Sequence, residues 1–232
     1  GTGDHAITAV NSSGSIIWST YLGGTARDGG LFMTLSTDNQ NIFYSGNTLS
    51  DDYPGVNASS YQSTRAGGED VTVGKIGLNG NLVWATYLGG TSAESAYKIN
   101  TDNQGNIYAC GETFSSDFPV VAASQSSSAG NTDGFITKFS ASGNVLWSTY
   151  VGGSGIDRVY EVMPDATGNY IYVVGYTNST NFPTLNPAQA SKAGAFDFFV
   201  QKRHASTGGI IWSTYLGGSA DEGSTRHSAI TV

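Results

Sequence analysis

The seven residues WSTYLGG occupy Trp18–Gly24 and recur unchanged at Trp212–Gly218. Between them lie WATYLGG at Trp84–Gly90 and WSTYVGG at Trp147–Gly153, so all four tryptophans of the chain fall within this motif. Successive tryptophans are about 65 residues apart. A period of this length indicates a repeat protein, in which each repeat is one structural unit.

Three further landmarks keep the same period. An Asp precedes each Trp by 14 or 15 residues, an acidic residue follows each Trp by ten, and an aromatic residue stands before Pro once in each complete repeat. In that order the members are Asp4, Asp70, Asp133 and Asp197; Asp28, Glu94, Asp157 and Glu222; and Tyr53, Phe118 and Phe182. The shared spacing of unrelated residue types indicates that the whole repeat folds as one unit.

Each repeat contains four short apolar runs separated by Asn-, Asp- and Gly-rich segments. In the repeat that ends with the third Trp, the runs are Ser95–Asp102, Ile107–Phe114, Asp133–Ser140 and Val145–Gly153. Short turns join the first run to the second and the third to the fourth, which predicts two β-hairpins. No stretch of ten residues has the spacing of an amphipathic helix. The chain is therefore predicted to be all-β.

In the repeat that ends with the second Trp, the fourth run has apolar side chains on both faces, with Trp84 on one side and Tyr87 on the other. A strand of this kind lies in a sheet that is covered on both faces. Repeated four-stranded antiparallel sheets packed face to face are the blades of a β-propeller, whereas the repeats of a solenoid, the alternative, are usually shorter. The chain is predicted to be a single propeller domain or a segment of one, residues 1–232, with repeat units at about 1–24, 25–90, 91–153, 154–218 and 219–232, the first and last being partial.

The propeller prediction gives the repeated motif two physical roles. The indole ring supplies a large flat surface that fills the space between adjacent blades. The Gly-Gly pair is expected to let the chain adopt φ > 0 as it leaves one blade for the next. Each blade would then need the same wedge and the same exit.

Three segments, TDGFITKFSASGNVLWSTYVGG, NTDNQGNIYACGETFSSDFP and MPDATGNYIYVVGYTNSTNFP, resemble the bacterial β-propeller repeats known as SBBP repeats. The resemblance extends through nearly the whole chain. It implies an extracellular or cell-surface bacterial protein in which the propeller is one module among several. The family has no established catalytic residues, so the resemblance assigns none here.

The two ends of the chain differ in phase. The chain opens with a third strand, Asp4–Val10, and a fourth, Ile16–Leu22, and closes with a first strand, His227–Val232. A blade shared between the ends would lack its second strand. Three arrangements follow: a closed four-bladed ring with a three-stranded closing blade, part of a larger ring completed by a second copy or a longer chain, or head-to-tail association into a filament.

Composition narrows the classes of partner. The net charge is −8, and no basic patch favours nucleic acid or an anionic membrane surface. Apolar runs such as Tyr170–Gly175 are too short to span a bilayer. The single Cys110 excludes an internal disulfide, and its apolar surroundings predict a buried core residue rather than a reactive thiol. An acidic surface rich in Ser, Thr, Asn and Gly is typical of a secreted bacterial protein.

The acidic residues ten positions after each Trp are the candidate metal ligands: Asp28, Glu94, Asp157 and Glu222. If the first strand is innermost, these carboxylates could converge in a ring at the central channel and bind Ca²⁺. The alternative, favoured by their recurrence in every blade, is that each accepts hydrogen bonds from N–H groups of the Gly-rich link before it. The aspartates that start the third strands are predicted to cap turns, and Asp38, Asp102 and Asp165 to form Asx-turns.

A carbohydrate-binding surface is the second candidate site. The long connections between second and third strands are predicted at about Leu49–Gly68, Ser115–Thr132 and Asn178–Ala195, on the same face as the links between blades. They carry Tyr53, Tyr61, Phe118 and Phe182 among Ser, Thr and Asn. Aromatic rings can stack on sugars while amides and hydroxyls bond to them, and loops on a rigid scaffold commonly carry binding sites. The favoured alternative is that each aromatic–Pro pair anchors its own loop.

Nothing in the pattern favours an enzyme. The three His residues share no repeat position, and no nucleophile elbow, Cys/His pair or phosphate-binding loop is present. The predicted function is a non-catalytic structural or adhesive module of a secreted or cell-surface bacterial protein, possessing no required cofactor and able to self-assemble through its terminal strands. A glycan-binding propeller is the alternative, and a hydrolase is less favoured.

Overall fold

The computed structural model describes residues 3–222, and this part of the chain is all-β. Within it no helix is long and apolar enough to cross a membrane. The strands are β1 (His5–Val10), β2 (Ile16–Leu22), β3 (Asp28–Leu35), β4 (Asn41–Thr48), β5 (Asp70–Gly77), β6 (Leu82–Leu88), β7 (Glu94–Thr101), β8 (Ile107–Thr113), β9 (Asp133–Phe139), β10 (Val145–Val151), β11 (Asp157–Pro164), β12 (Tyr170–Thr177), β13 (Asp197–His204) and β14 (Ile210–Leu216).

The strands form one two-stranded and three four-stranded antiparallel sheets, which we call blades. Blade I is β1–β2, blade II is β3–β6, blade III is β7–β10 and blade IV is β11–β14. The prediction of four strands per repeat is confirmed. The predicted bounds were wrong by one or two residues: in blade III the first strand begins at Glu94 and the fourth ends at Val151. The first strand predicted at His227–Val232 lies outside the described residues.

Successive blades pack face to face through shared apolar clusters. Ile7 and Leu22 of blade I join Ile76 of blade II in one cluster, and Leu88 of blade II joins Phe139 of blade III in the next. A third cluster unites blades III and IV. Antiparallel sheets stacked in this way are the blades of a β-propeller, so the predicted fold class is confirmed.

The Trp of each of the first three blades packs onto a glycine in the following blade. These glycines lie in the turn between the third and fourth strands, where φ is +84° at Gly80, +87° at Gly143 and +69° at Gly208. Each indole Nε1 donates to a carbonyl of that turn: Trp18 to Leu78 at 2.7 Å, Trp84 to Ala141 at 3.2 Å and Trp147 to Ala205 at 3.0 Å. The predicted role of Trp as an interblade wedge therefore holds for these three contacts.

The Gly-Gly pair has a different physical reason from the one expected. None of Gly23, Gly89, Gly152 or Gly217, nor the glycine after each, has a positive φ, so the expectation of φ > 0 was wrong. Space decides instead: a Cβ on Gly89 would lie 2.5 Å from Asp70 Cγ and 2.5 Å from Glu94 Oε2. A Cβ on Gly90 would lie 2.6 Å from Ser115 Cβ. The pair is glycine because side chains of the loop and of neighbouring strands occupy that volume.

The Tyr of the repeated motif holds the long loop of its own blade. In blade III, Tyr150 Oη accepts from the Phe118 backbone N–H at 2.9 Å and donates to the Ser115 carbonyl at 2.9 Å. The same two bonds recur at Tyr87 and Tyr215. All three rings are buried, whereas Tyr21 in the two-stranded blade I is 78% exposed. This tyrosine latch needs the second strand and loop, which blade I lacks among the described residues.

The latch predicts unequal effects of the same substitution in two blades. Tyr150→Phe leaves the Phe118 N–H and the Ser115 carbonyl without their partner, which should lower the free energy of unfolding by about 1–3 kcal/mol. Tyr21→Phe is the matched control and should change it by less than about 0.5 kcal/mol, as for an exposed surface substitution. Urea unfolding followed by tryptophan fluorescence measures both. Equal effects of the two substitutions would contradict the latch.

Candidate functional site

The long loops lie against the links between blades, on one face of the structure. At the link from blade II to blade III, the Thr91 N–H donates to Asp117 Oδ1 at 2.9 Å and the Ser92 N–H to Ser115 Oγ at 2.9 Å. Equivalent bonds join Thr25 to Asp52 and Ser154 to Asn181. The predicted placement of loops and links on a common face is therefore confirmed, and the polar loop groups that start each loop are used to hold it.

The carboxylates predicted as a calcium ring each accept a hydrogen bond within their own link. Glu94 Oε2 accepts from the Gly90 N–H at 3.0 Å, and Glu94 Oε1 accepts from Thr113 Oγ1 at 2.6 Å. Asp28, Asp157 and Glu222 accept the corresponding glycine N–H. Within residues 3–222 no three His, Cys, Asp or Glu side chains are arranged to hold a metal ion. Each carboxylate accepts a backbone N–H of a separate link, which is the alternative that the sequence favoured, and the calcium ring stays a prediction.

Each of these carboxylates is paired instead with the Asp that starts a third strand. Asp70 Oδ1 and Glu94 Oε2 lie within 2.8 Å and 2.5 Å of the point that a Cβ on Gly89 would occupy. Asp133 with Asp157, and Asp197 with Glu222, flank the next two links in the same way. Burial raises the pKa of Asp70 to about 6 and that of Glu94 to about 7, the latter further raised by the Asp70 charge. Sequence inspection found both members but did not show that they meet.

The predicted turn roles are confirmed for five aspartates: Asp38, Asp70, Asp102, Asp133 and Asp197. The starting aspartates of the third strands cap the end of the preceding loop: Asp70 accepts from the Ala66 N–H at 2.9 Å and Asp133 from the Ala129 N–H at 2.7 Å. Asp102 closes an Asx-turn with the Gln104 N–H at 3.0 Å and Asp38 one with the Gln40 N–H at 3.0 Å, whereas Asp165 accepts from the Asn169 N–H, four residues on, at 3.1 Å. These side chains are structural.

The aromatic residues of the aromatic–Pro pairs lie in the core. Tyr53, Phe118 and Phe182 are only 2–3% exposed. Phe118 packs against Phe135 and Tyr150, with ring centroids 4.8 and 5.9 Å away. A sugar has no access to these rings, so the stacking role considered for them is corrected to loop anchoring, the interpretation that the sequence favoured.

Tyr61 differs from the other loop aromatics because its side chain reaches the surface. It is 38% exposed and lies at the junction of two shallow grooves between blades II and III. One groove is lined by Asn57, Ser59, Trp84 and Asn144 and the other by Thr64, Asp117 and Pro119, among other residues. An aromatic ring bordered by amides and hydroxyls is the arrangement that sugar-binding sites use.

The repeat itself does not require a tyrosine at this position. Gln62 bonds the Gly89 N–H, and its counterparts Gln125 and Gln189 bond the matching glycines of blades III and IV. The residue before Gln is Tyr61 in blade II, Ser124 in blade III and Ala188 in blade IV. Because three different residues satisfy the fold there, the repeat does not fix the side chain at this position.

A polar and aromatic cluster between blades III and IV escaped the sequence analysis. Arg158 of β11 pairs with Glu112 of β8, and Glu112 also accepts from the Tyr97 hydroxyl. The Arg158 guanidinium lies 5.5 Å from the centre of the Tyr176 ring. None of these residues recurs at the same position in all blades, so no repeat signal pointed to them. Their mutual pairing indicates a structural contact between inner strands.

Cys110 lies where the sequence predicted. Its side chain is fully buried in the middle of β8, and burial raises the pKa of the thiol far above its ordinary value. The thiol is thereby kept protonated and away from solvent. It belongs to the core.

Fold and site together define a β-propeller whose repeated polar groups hold its blades and loops in place. Two segments of the chain, residues 83–119 and 146–183, match the family of the beta-propeller repeat SBBP. The resemblance to SBBP repeats is thus confirmed. The chain is also 23% identical over 191 residues to an uncharacterized WD repeat-containing protein, L264, of Acanthamoeba polyphaga mimivirus. That match covers 72% of this chain and 14% of the relative's length.

The buried carboxylate pairs predict a loss of stability with rising pH. The folded-state pKa values of Asp70 and Glu94, about 6 and 7, lie above the ordinary values of 3.8 and 4.5. The folded state therefore binds these protons more tightly, and their contribution is complete below pH 4 and lost as the pH rises through 6 and 7. The Tm should fall between pH 5 and pH 8, and Glu94→Gln should reduce that fall.

Differential scanning calorimetry across this pH range provides the measurement. Asp38→Asn is the control, because hydrogen bonds lower the pKa of Asp38 below the window, and the variant should follow the wild-type curve. A Tm that rises from pH 5 to pH 8, or a Glu94→Gln curve parallel to the wild type, would contradict the assignment.

Proposed function

We propose that this chain is a non-catalytic structural or adhesive β-propeller module of a secreted or cell-surface bacterial protein. The observation that carries the proposal is that the polar side chains repeated in the blades hold the fold together. The carboxylates, loop hydroxyls and motif tyrosines are engaged in hydrogen bonds that fix blades and loops. A scaffold built in this way presents its loops rigidly to a partner.

The surface charge restricts the kinds of partner that we propose for this module. With a net charge of −8 and few lysines, the module is suited neither to nucleic acid nor to membrane insertion. The proposed partners are a protein or a glycan at the loop face, and further copies of the chain at its ends. No cofactor is part of the proposal.

Surface labelling tests this proposal. Antibodies against the chain should bind intact cells that naturally express it, or detect it in the medium, while a cytoplasmic marker stays inaccessible. The purified chain should also leave a panel of ester, peptide and glycoside substrates unhydrolysed. Labelling only after lysis would overturn the extracellular role, and turnover abolished by one side-chain substitution would overturn the non-catalytic role.

A glycan-binding propeller is the second candidate, and one observation favours it. Tyr61 presents a 38% exposed ring between two polar grooves, at a position where the other blades have Ser and Ala. Asn57 and Asn144 provide amides on one side, and the Asp117 carboxylate lies on the other. A sugar ring stacked on Tyr61 would be within reach of both grooves.

A glycan array followed by calorimetry tests this candidate. A glycan bound by the wild type should lose at least about tenfold in affinity with Tyr61→Ala, since one stacked aromatic ring contributes about 1–3 kcal/mol to binding. Tyr61→Phe keeps the ring and should retain most of the affinity. Phe114→Ala removes another exposed ring, 47% accessible, and should have no effect. Binding that survives Tyr61→Ala would place any glycan elsewhere.

A further inference from the structure

The interblade contact made by Trp has three complete examples within the chain and two unmatched halves at its ends. In each complete example the indole covers a positive-φ glycine of the next blade, with Trp ring atoms 2.9–3.1 Å from the place of that glycine's Cβ. Blade IV carries the fourth donor, Trp212, and blade I carries the fourth glycine turn, at Gly14. The halves belong to the first and last blades of the described chain, and they do not meet, since no described atom lies within 4 Å of the Gly14 Cβ position.

The donor half on blade IV has no partner turn among the described residues. Trp212 makes no indole hydrogen bond within residues 3–222, unlike Trp18, Trp84 and Trp147. Leu216, four residues further along the same face of β14, is 58% exposed. Its counterparts Leu22, Leu88 and Val151 are at most 3% exposed, because the following blade covers them. Blade IV therefore ends in an apolar face of the kind that elsewhere lies between blades.

The acceptor half on blade I is open and already has the right shape. Gly14 has φ of +80°, within the range of the three covered glycines, and no described atom lies within 4 Å of its Cβ position. Val10, the last residue of β1, is 57% exposed, whereas its counterparts Ile76 and Phe139 are at most 1% exposed. In two of the three complete interfaces these counterparts share a cluster with Leu22 and Leu88 respectively.

We propose that blade IV of one copy docks against blade I of a second copy of this chain, head to tail. Trp212 covers Gly14 of the next copy and its Nε1 donates to the Ser12 carbonyl, the position that corresponds to Leu78 and Ala141 in the internal turns. Leu216 packs against Val10. The inference rests on the self-assembly included in the proposed function and specifies its surfaces.

The occupant is a second copy because one chain holds both complementary halves without joining them. Among the described residues the Gly14 turn stays uncovered, so the donor of the same chain does not fill it. A contact between two different surfaces leaves each bound copy with one half still free, and such heterologous contacts continue into longer assemblies. The mass should therefore grow with concentration beyond that of a dimer.

Light scattering on a sizing column provides the first test, across micromolar to high-micromolar concentrations of the intact chain. The wild type should pass from 24.1 kDa to higher multiples of that mass. Leu216→Asp removes the donor surface and Val10→Asp the acceptor surface, and each variant should remain a monomer. Both residues are exposed in the single chain, so neither substitution should impair folding.

Mixing the two variants tests the direction of the contact. Leu216→Asp keeps an intact acceptor and Val10→Asp an intact donor, so an equimolar mixture should form a dimer of twice 24.1 kDa and nothing larger. Leu146→Asp and Val83→Asp are the matched controls, since both residues are exposed on outer strands of other blades, 44% and 56%, and both variants should assemble as the wild type does.

A wild-type mass of 24.1 kDa at every concentration would overturn the proposal. This is the mass expected if the ring closes within one chain. Assembly that persists in both Asp variants, or that is equally lost in the controls, would overturn it too, as would a mixture that stays monomeric. None of these results bears on surface labelling or on substrate turnover, so the failure of this contact is distinguishable from the failure of the proposed extracellular, non-catalytic role.

Discussion

The structure depends on one contact, in which the indole rings of Trp18, Trp84 and Trp147 each lie on a glycine turn of the next blade. The turn needs a residue with positive φ, and only a residue without a side chain allows the ring to approach so closely. The contact covers one part of the ring, satisfies its Nε1 and fixes how one sheet faces the next. Because each blade meets its neighbour in this way, the same residues must return at the same interval.

The other positions of the seven-residue motif serve the blade that carries them. Tyr150 bonds both ends of a loop corner, and the glycines after it make room for the carboxylates and the loop serine. Four strands, a loop and a link are thereby joined around a single short sequence. A substitution in the motif would disturb several of these connections together, which is why the motif varies so little between blades.

This economy shapes where function can lie. Side chains that recur in every blade hold the fold through hydrogen bonds and packing. Tyr61 stands at a position that the fold leaves open, beside two grooves. The faces of blades I and IV are a second such place, because a scaffold assembled from equal interfaces exposes an unpaired half at each end unless the ends meet.

The sequence by itself determined the all-β class, the number of strands in a repeat, the wedge role of Trp and the turn roles of the aspartates. Strand periodicity, turn residues and a strict repeat period are properties that can be read directly from the sequence. Only the tertiary structure decided which distant groups meet. It paired Asp70 with Glu94 and explained Gly89 by crowding rather than by φ. It also buried Phe118 and left Tyr61 exposed, because burial depends on how a loop packs across its own blade and not on its composition.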